Sequence, residues 1–237
     1  MSIYRTELKL CAKDEKTSGC LRISALFELL QEVSSAHNDE LFIGDEALSG
    51  GELLWVIARQ RAEISRMPEY GESITAETWL GCPRHALIPR YSRLLDLNGH
   101  VLVSACAVWT LMDKETRTMV FGDIPVLRQN AVLTGNECTF PAPVARVRQG
   151  SDSVFTVPPS YADKNGHMNN ARYFDLAESL MPPAAKRGKL REAIAEYSDE
   201  VFPGDTIKLS WQENDGRLII SGRGEKKLFS VSLEYEK

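Results

Sequence analysis

Asp163, Asn165 and His167 stand at alternate positions in a polar stretch running from Ser160 to Asn170. Carboxylate, carboxamide and imidazole together can move a proton and hold a developing oxyanion. If the stretch is extended, all three side chains leave one face. Asn169 and Asn170 follow, and either can cap a helix. That helix is legible in Tyr173, Leu176, Ala177, Leu180 and Met181, which repeat at helical spacing before Pro182 and Pro183 end it. A helix N-terminus favours negative charge, which suits an oxyanion site. Asp, Asn, Gly and His are also ordinary turn formers, and a generic run of them before a helix is a loop more often than a site. A calcium loop is excluded, because Phe174 occupies the position that needs a bidentate Glu.

Composition narrows the setting. With 237 residues the chain can form one large domain or two small ones. No apolar run approaches the ~20 residues of a membrane helix, so no membrane insertion is expected. The first ten residues alternate like a strand and resemble neither a signal nor a transit peptide. Cys11, Cys20, Cys82, Cys106 and Cys138 are odd in number and lack metal or redox spacing, which indicates reduced thiols in a cytoplasmic protein. The net charge of −5 argues against nucleic acid as a partner and leaves only local basic patches to attract acidic ones.

Before the polar stretch, Ser24 is placed to cap a helix carrying Leu26, Leu29, Leu30, Val33 and His37. His37, at its end, reads more readily as a structural histidine than as a ligand. Strand patterns then cover residues 53–64, 73–80, 85–95 and 101–111, with an Asn98-Gly99 hairpin signal. Proline and glycine dissolve the pattern between 122 and 152. Further strands are expected at 193–200, 206–211, 217–222 and 228–235, with a hairpin at Asn214, Asp215 and Gly216.

The chain therefore repeats. Each half reads as a loop ending in Gly, a helix of about four turns or fewer, and an antiparallel meander. Gly166 lies 147 positions after Gly19, and Gly204 lies 133 after Gly71. The difference gives the first half 14 extra residues between its helix and its second strand, a candidate lid or pocket wall. Opposite Asp163, Asn165 and His167 stand Lys16, Ser18 and Cys20, and opposite Glu200 stands Met67. Residues that merely shaped the loop should survive in both copies. Their absence from the first copy favours chemistry in the second, with the first shaping a pocket.

Asp163-x-Asn165-x-His167-x-Asn169-Asn170, followed by Glu196, Tyr197, Ser198, Asp199 and Glu200, resembles the acyl-acyl carrier protein thioesterases of plants and bacteria. Leu29, Leu30, Gln31 and Glu32, then Trp55, Arg66-Met67-Pro68, Gly71-Glu72 and Thr78-Trp79, agree with it in the first half. The resemblance runs from about residue 3 to the C-terminus. It implies an α+β fold, a tandem (double) hot-dog, divided into units 1–125 and 153–237 by a linker at 126–152. It implies hydrolysis of a fatty acyl thioester from acyl carrier protein, with no cofactor and no metal. By the same resemblance Glu200 and His167 position and deprotonate water, Asp163 orients His167, and Asn165 with helix N-terminal N–H groups binds the oxyanion. Plant members commonly carry a Cys after the Glu, and a thiol mechanism has been proposed for them. Here that residue is Val201 and no cysteine follows Cys138, so the second half supplies no thiolate.

Two rivals remain at this level. One is a hot-dog thioesterase acting on acyl-CoA; the other is a fatty-acyl-binding module without turnover. No helix-turn-helix precedes the pattern, which speaks against a DNA-binding repressor. For the acidic carrier, candidate docking cations are the run 186–191, containing Lys186, Arg187, Lys189 and Arg191, or the set Arg59, Arg61, Arg66, Arg84, Arg90 and Arg93. Chain-length preference is not encoded legibly, and monomer and homodimer both stay open.

Overall fold

A computed structural model describes residues 3–11, 19–44, 48–122, 124–147, 150–182 and 188–236. The chain divides into two compact units after Pro141.

In the first unit the strands are β1 (Tyr4–Lys9), β2 (Leu53–Ile64), β3 (Ser73–Leu80), β4 (Ile88–Leu95) and β5 (Val101–Asp113). They lie in the order β1-β3-β4-β5-β2, all antiparallel. Helix α1 (Ile23–Glu40) packs on β3. Leu26, Leu30, Val33 and His37 recur every three to four residues and are buried on one helical face. Burying each of the aliphatic side chains contributes about 1.5–3 kcal/mol. The helix starts two residues earlier than Ser24 capping would require: Arg22 is the N-cap, and Ser24 lies inside, fully buried. The helix ends in a Schellman turn, with Phe42 N–H donating to Asp39 O (3.1 Å) and Ile43 N–H to Asn38 O (2.9 Å). Phe42 holds the left-handed position at φ 55°, a place that normally takes Gly.

In the second unit the strands are β6 (Ser151–Thr156), β7 (Lys189–Tyr197), β8 (Thr206–Asn214), β9 (Arg217–Arg223) and β10 (Lys227–Glu236). Their order is β7-β10-β9-β8-β6, again antiparallel. Helix α3 (Arg172–Leu180) packs on β10. Asp215 and Gly216, both at positive φ, close the expected two-residue hairpin. A Cβ on Gly216 would meet Tyr235 O at 2.5 Å, so only glycine fits there.

The repeat is visible bond by bond. Leu21 N–H donates to Pro68 O (2.9 Å); Met168 N–H donates to Val201 O (2.7 Å). Gly71 N–H donates to Leu10 O, and Gly204 N–H to Val157 O. Lys9 pairs with Ser73 as Thr156 pairs with Thr206. Each second-half partner lies 147 or 133 positions after its counterpart, the offsets expected from the sequence. The helices are unequal, however. At 18 residues α1 makes about five turns, more than the four expected, whereas α3 has only 9 residues.

Leu180 corresponds to Val33, so residues 34–40 of α1 are part of the 14-residue excess. The described part of the following loop is core: Ile43 and Leu48 are buried with Leu80, Ile88, Leu111 and Leu127. The segment expected as a linker also contributes structure. It contains α2 (Pro125–Asn130), whose Leu127 is buried, and it supplies buried Cys138 to the first unit and Val144 to the second. The expected strand at 85–95 begins at Ile88, because His85 sits at φ 55° in a turn closed by Arg84 and Leu87. The Asn98-Gly99 hairpin is a wider loop than a two-residue turn, closed by Asp96 N–H donating to His100 O (3.0 Å). Among the described residues no helix is long and apolar enough to cross a membrane.

Candidate active site

Residues 163–167 form a turn, not the extended segment that alternation would need. Asp163 N–H donates to His167 O (2.8 Å), Gly166 N–H to Asp163 O (3.1 Å), and Gly166 takes φ 81°. The Asp163 carboxylate is the turn's internal acceptor. Its Oδ1 receives the backbone N–H of Asn165 (2.8 Å) and of His167 (3.2 Å). Asp163 thus fixes the His167 backbone through these two bonds, the geometry in which its expected orienting of His167 would act. Asn165 lies between them with its side chain exposed.

The turn is tied to the loop after β7 by the Met168–Val201 bond. That tie brings His167 to Glu200, with Nδ1 3.7 Å from Oε1. The separation is longer than a direct hydrogen bond, and such contacts often tighten only when substrate binds. Both side chains are partly open to solvent, 28% for His167 and 39% for Glu200. The Phe202 ring stands edge-on to the imidazole, centroids 4.8 Å apart at 88°, which fixes the plane of the histidine. Phe202 is held in turn by a tight turn in which its N–H donates to Asp205 Oδ2 (2.9 Å). Phe202 was not legible as a site residue. The signal available was its position in the Pro203-Gly204-Asp205 turn, two residues after Glu200.

The helix behind the turn begins at Arg172 with Ala171 as N-cap, not Asn169 or Asn170. Asn169 still serves the entry: its Oδ1 accepts Ala171 N–H (2.8 Å) and its carbonyl accepts Arg172 N–H (2.9 Å). Phe174 N–H donates to Ala171 O (3.0 Å). Three N–H groups of the entry, those of Ala171, Arg172 and Phe174, are therefore engaged, whereas the Asn165 side chain is exposed. Tyr197 donates its hydroxyl to Asn170 O (2.7 Å) and packs edge-on against Tyr173, locking the helix start to β7.

At the equivalent place in the first unit, Cys20 bridges to Glu69 and Met67 stands where Glu200 would be. Lys16 and Ser18 lie outside the described residues. The most deeply buried thiol, Cys106, has its pKa pushed well up by burial, which disfavours the nucleophilic thiolate. His37 is fully buried, stacked on Tyr4 and in contact with Arg90 through Nδ1 (2.9 Å). Burial and the Arg90 charge lower its pKa to about 4, so it stays neutral.

The candidate basic faces fare differently from expectation. Arg90 is buried against His37 and Asn38. Arg66 is held bidentately by Glu72, Arg61 by Glu63, and Arg93 by Glu77, which Arg5 shares. Arg59 donates to Pro141 O and Arg84 lies over Phe140. These guanidiniums are committed internally and do not form a basic face. In the other run, Lys186 and Arg187 lie outside the described residues, and Arg191 pairs with Glu236.

Comparison with known proteins matches residues 2–121 to the acyl-ACP thioesterase N-terminal domain and residues 144–237 to the acyl-ACP thioesterase C-terminal domain. An acyl-[acyl-carrier-protein] hydrolase of Cuphea viscosissima is 24% identical over 201 residues, covering 73% of this chain and 49% of that protein. A palmitoyl-acyl carrier protein thioesterase of Arabidopsis thaliana is 27% identical over 158 residues, covering 62% and 38%. The chain thus spans half or less of these chloroplastic relatives. An acyl-ACP thioesterase from Bacteroides thetaiotaomicron superposes with TM-score 0.81 at 19% identity, covering 99% of this chain and 98% of that one. The 12:0-ACP thioesterase from Umbellularia californica gives TM-score 0.81 at 16% identity, covering 99% and 97%. The fold is the tandem hot-dog expected from the sequence. With both of its domain models matched in order, the chain belongs to the acyl-ACP thioesterase family.

Proposed function

We propose that the protein hydrolyses fatty acyl thioesters carried on acyl carrier protein, releasing the free acid and the carrier thiol. Family membership supports the reaction class. The observation that carries the site is the approach of His167 Nδ1 to Glu200 Oε1, in a turn whose counterpart holds Cys20 and Met67. Imidazole and carboxylate bind one water between them and take its proton as its oxygen attacks the thioester carbon. Asn165 donates to the oxyanion of the tetrahedral intermediate, a contact worth roughly 3–4 kcal/mol in comparable sites. Collapse breaks the C–S bond, and the proton taken from water passes to the leaving sulfur. Asp163 acts through the backbone, holding Asn165 and His167 in register. The first unit has neither the imidazole nor the carboxylate at the equivalent positions and takes no part in bond-making. A cytoplasmic setting fits five cysteines that form no disulfide.

The test is free-thiol release from palmitoyl- and octanoyl-acyl carrier protein by wild type, His167→Ala and Glu200→Ala. Loss of ~10²-fold or more in both variants is expected. No release by wild type from either substrate would overturn the assignment.

A further inference from the structure

Strand register in the second unit lines up three cations. Lys208 on β8 stands directly opposite Arg223 on β9, and Arg223 directly opposite Lys227 on β10. Directly paired residues share a sheet face, and like charges so placed repel. Ile207 and Leu209 beside Lys208 are buried, so the lysine points to the opposite, solvent face. Lys227 is neutralised by Glu196 at 2.7 Å. Lys208 and Arg223 are exposed and make no ion pair to any described residue.

The first unit shows that the fold does not require this arrangement. Its equivalent row, read from the same pairings, is Glu7, Thr75, Leu95 and Val101 against Val154, Lys208, Arg223 and Lys227. Where one half has a carboxylate and uncharged residues, the other concentrates positive charge, in a chain whose net charge is −5. The row also ends at the catalytic loop. Ser198 and Asp199 donate their N–H groups to Leu228 O (2.8 and 3.2 Å), and Lys226 pairs with Asp199 at 2.5 Å, one residue before Glu200.

We infer that Lys208 and Arg223 form the docking surface for the acidic carrier protein that presents the acyl thioester to His167 and Glu200. The inference rests on the thioesterase reading for its substrate but not for its binding test. Unneutralised cations beside a reactive loop attract an acidic partner over a distance, and salt weakens that attraction. A long, flexible phosphopantetheine arm then carries the thioester from the surface to the dyad.

The experiment is titration of holo-acyl carrier protein onto wild type and the Lys208→Glu, Arg223→Glu double variant at low and high salt. It is paired with hydrolysis of a carrier-free acyl-pantetheine thioester. Wild-type affinity should fall with salt, and the double variant should bind roughly tenfold or more weakly with little salt dependence. Carrier-free hydrolysis should be unchanged, and Thr75→Glu, at the equivalent place in the first unit, should leave carrier affinity intact. Unfolding midpoints check that each variant is folded, and Lys208→Gln with Arg223→Gln gives an intermediate loss without charge reversal. Carrier affinity equal to wild type in the double variant would overturn the inference. So would unchanged carrier affinity accompanied by lost binding to phosphatidylglycerol vesicles, which would assign the row to a membrane surface. If wild type released no thiol from any substrate, the thioesterase reading would fail, while a carrier affinity lost in the double variant would still support the docking surface.

Discussion

The two halves use one set of backbone bonds to hold two different kinds of side chain. Leu21 to Pro68 and Met168 to Val201 are the same bond, and each ties the chain ahead of the helix to the loop after a strand, β2 in one half and β7 in the other. In the second half that closure presents His167 to Glu200 at the surface of the sheet's end. In the first half it presents Cys20 and Met67, whose sulfurs are only weak hydrogen-bond partners for a water. The first half spends its extra length on packing: seven more helical residues, then Ile43 and Leu48 buried in a core with Leu127. It has a histidine too, but His37 is sealed beneath Tyr4 and fixed by Arg90. Histidine is useful for chemistry where it is partly open and faces a carboxylate, and structural where it is buried beside a cation.

The largest effect expected in the scaffold is symmetric. Phe27 and Phe174 occupy equivalent helix positions and are both fully buried. Phe27→Ala and Phe174→Ala should each cost about 3–5 kcal/mol in denaturant unfolding. A much smaller cost for one would show that the halves do not share a core design.

The buried histidine of the first half makes stability depend on pH. The folded-state pKa of His37, about 4, lies below its ordinary 6.5. Between those values the unfolded chain binds a proton that the folded chain refuses. The His37 contribution is therefore complete above pH 6.5 and is lost as pH falls toward 4, up to about 3 kcal/mol. Urea unfolding across that window should show a steeper decline for wild type than for His37→Gln. Parallel curves would mean the histidine is protonated in the fold.

A smaller effect probes Asp163. Its Oδ1 accepts two backbone N–H groups, and asparagine keeps that oxygen. Asp163→Asn should retain thiol-release activity within a few-fold, whereas Asp163→Ala should lose about tenfold as the turn loosens. Equal losses would restore a direct role for the charge on the imidazole. The smallest change is Cys20→Ser, which should shift stability by no more than about 0.5 kcal/mol and leave kcat/KM unaltered.

Much of this arrangement is legible in the sequence because it rests on periodicity and on glycine. β2 and β3 fall at 53–64 and 73–80 as patterned, and Gly19, Gly71, Gly166 and Gly204 all take the positive φ that marks the repeat. The pattern fails where burial is slight. β6, with the sequence Ser-Asp-Ser-Val-Phe-Thr, is an almost fully exposed edge strand and shows no alternation. α2 has six residues and one buried side chain, too few to establish a period. Within the site, residue types identify Asp163, Asn165, His167 and Glu200 as candidates, but not how they meet. The turn that sends Asp163 to the backbone, the edge-on Phe202, and the engaged helix N–H groups are all set by tertiary bonds. Nor does composition distinguish Arg66 and Arg93, tied to carboxylates, from Lys208 and Arg223, which are not.

The central claim is that one half of a duplicated scaffold carries the chemistry, and paired substitutions at equivalent positions test it most directly. kcat/KM for acyl carrier protein thioester hydrolysis is measured for His167→Ala with Glu200→Ala, beside Cys20→Ala with Met67→Ala. The first pair should lose ~10²-fold or more, and no more than the worse of its two single variants, because the two groups act as a unit. The second pair should stay within a few-fold of wild type. Comparable losses in both pairs, or none in the first, would contradict the account.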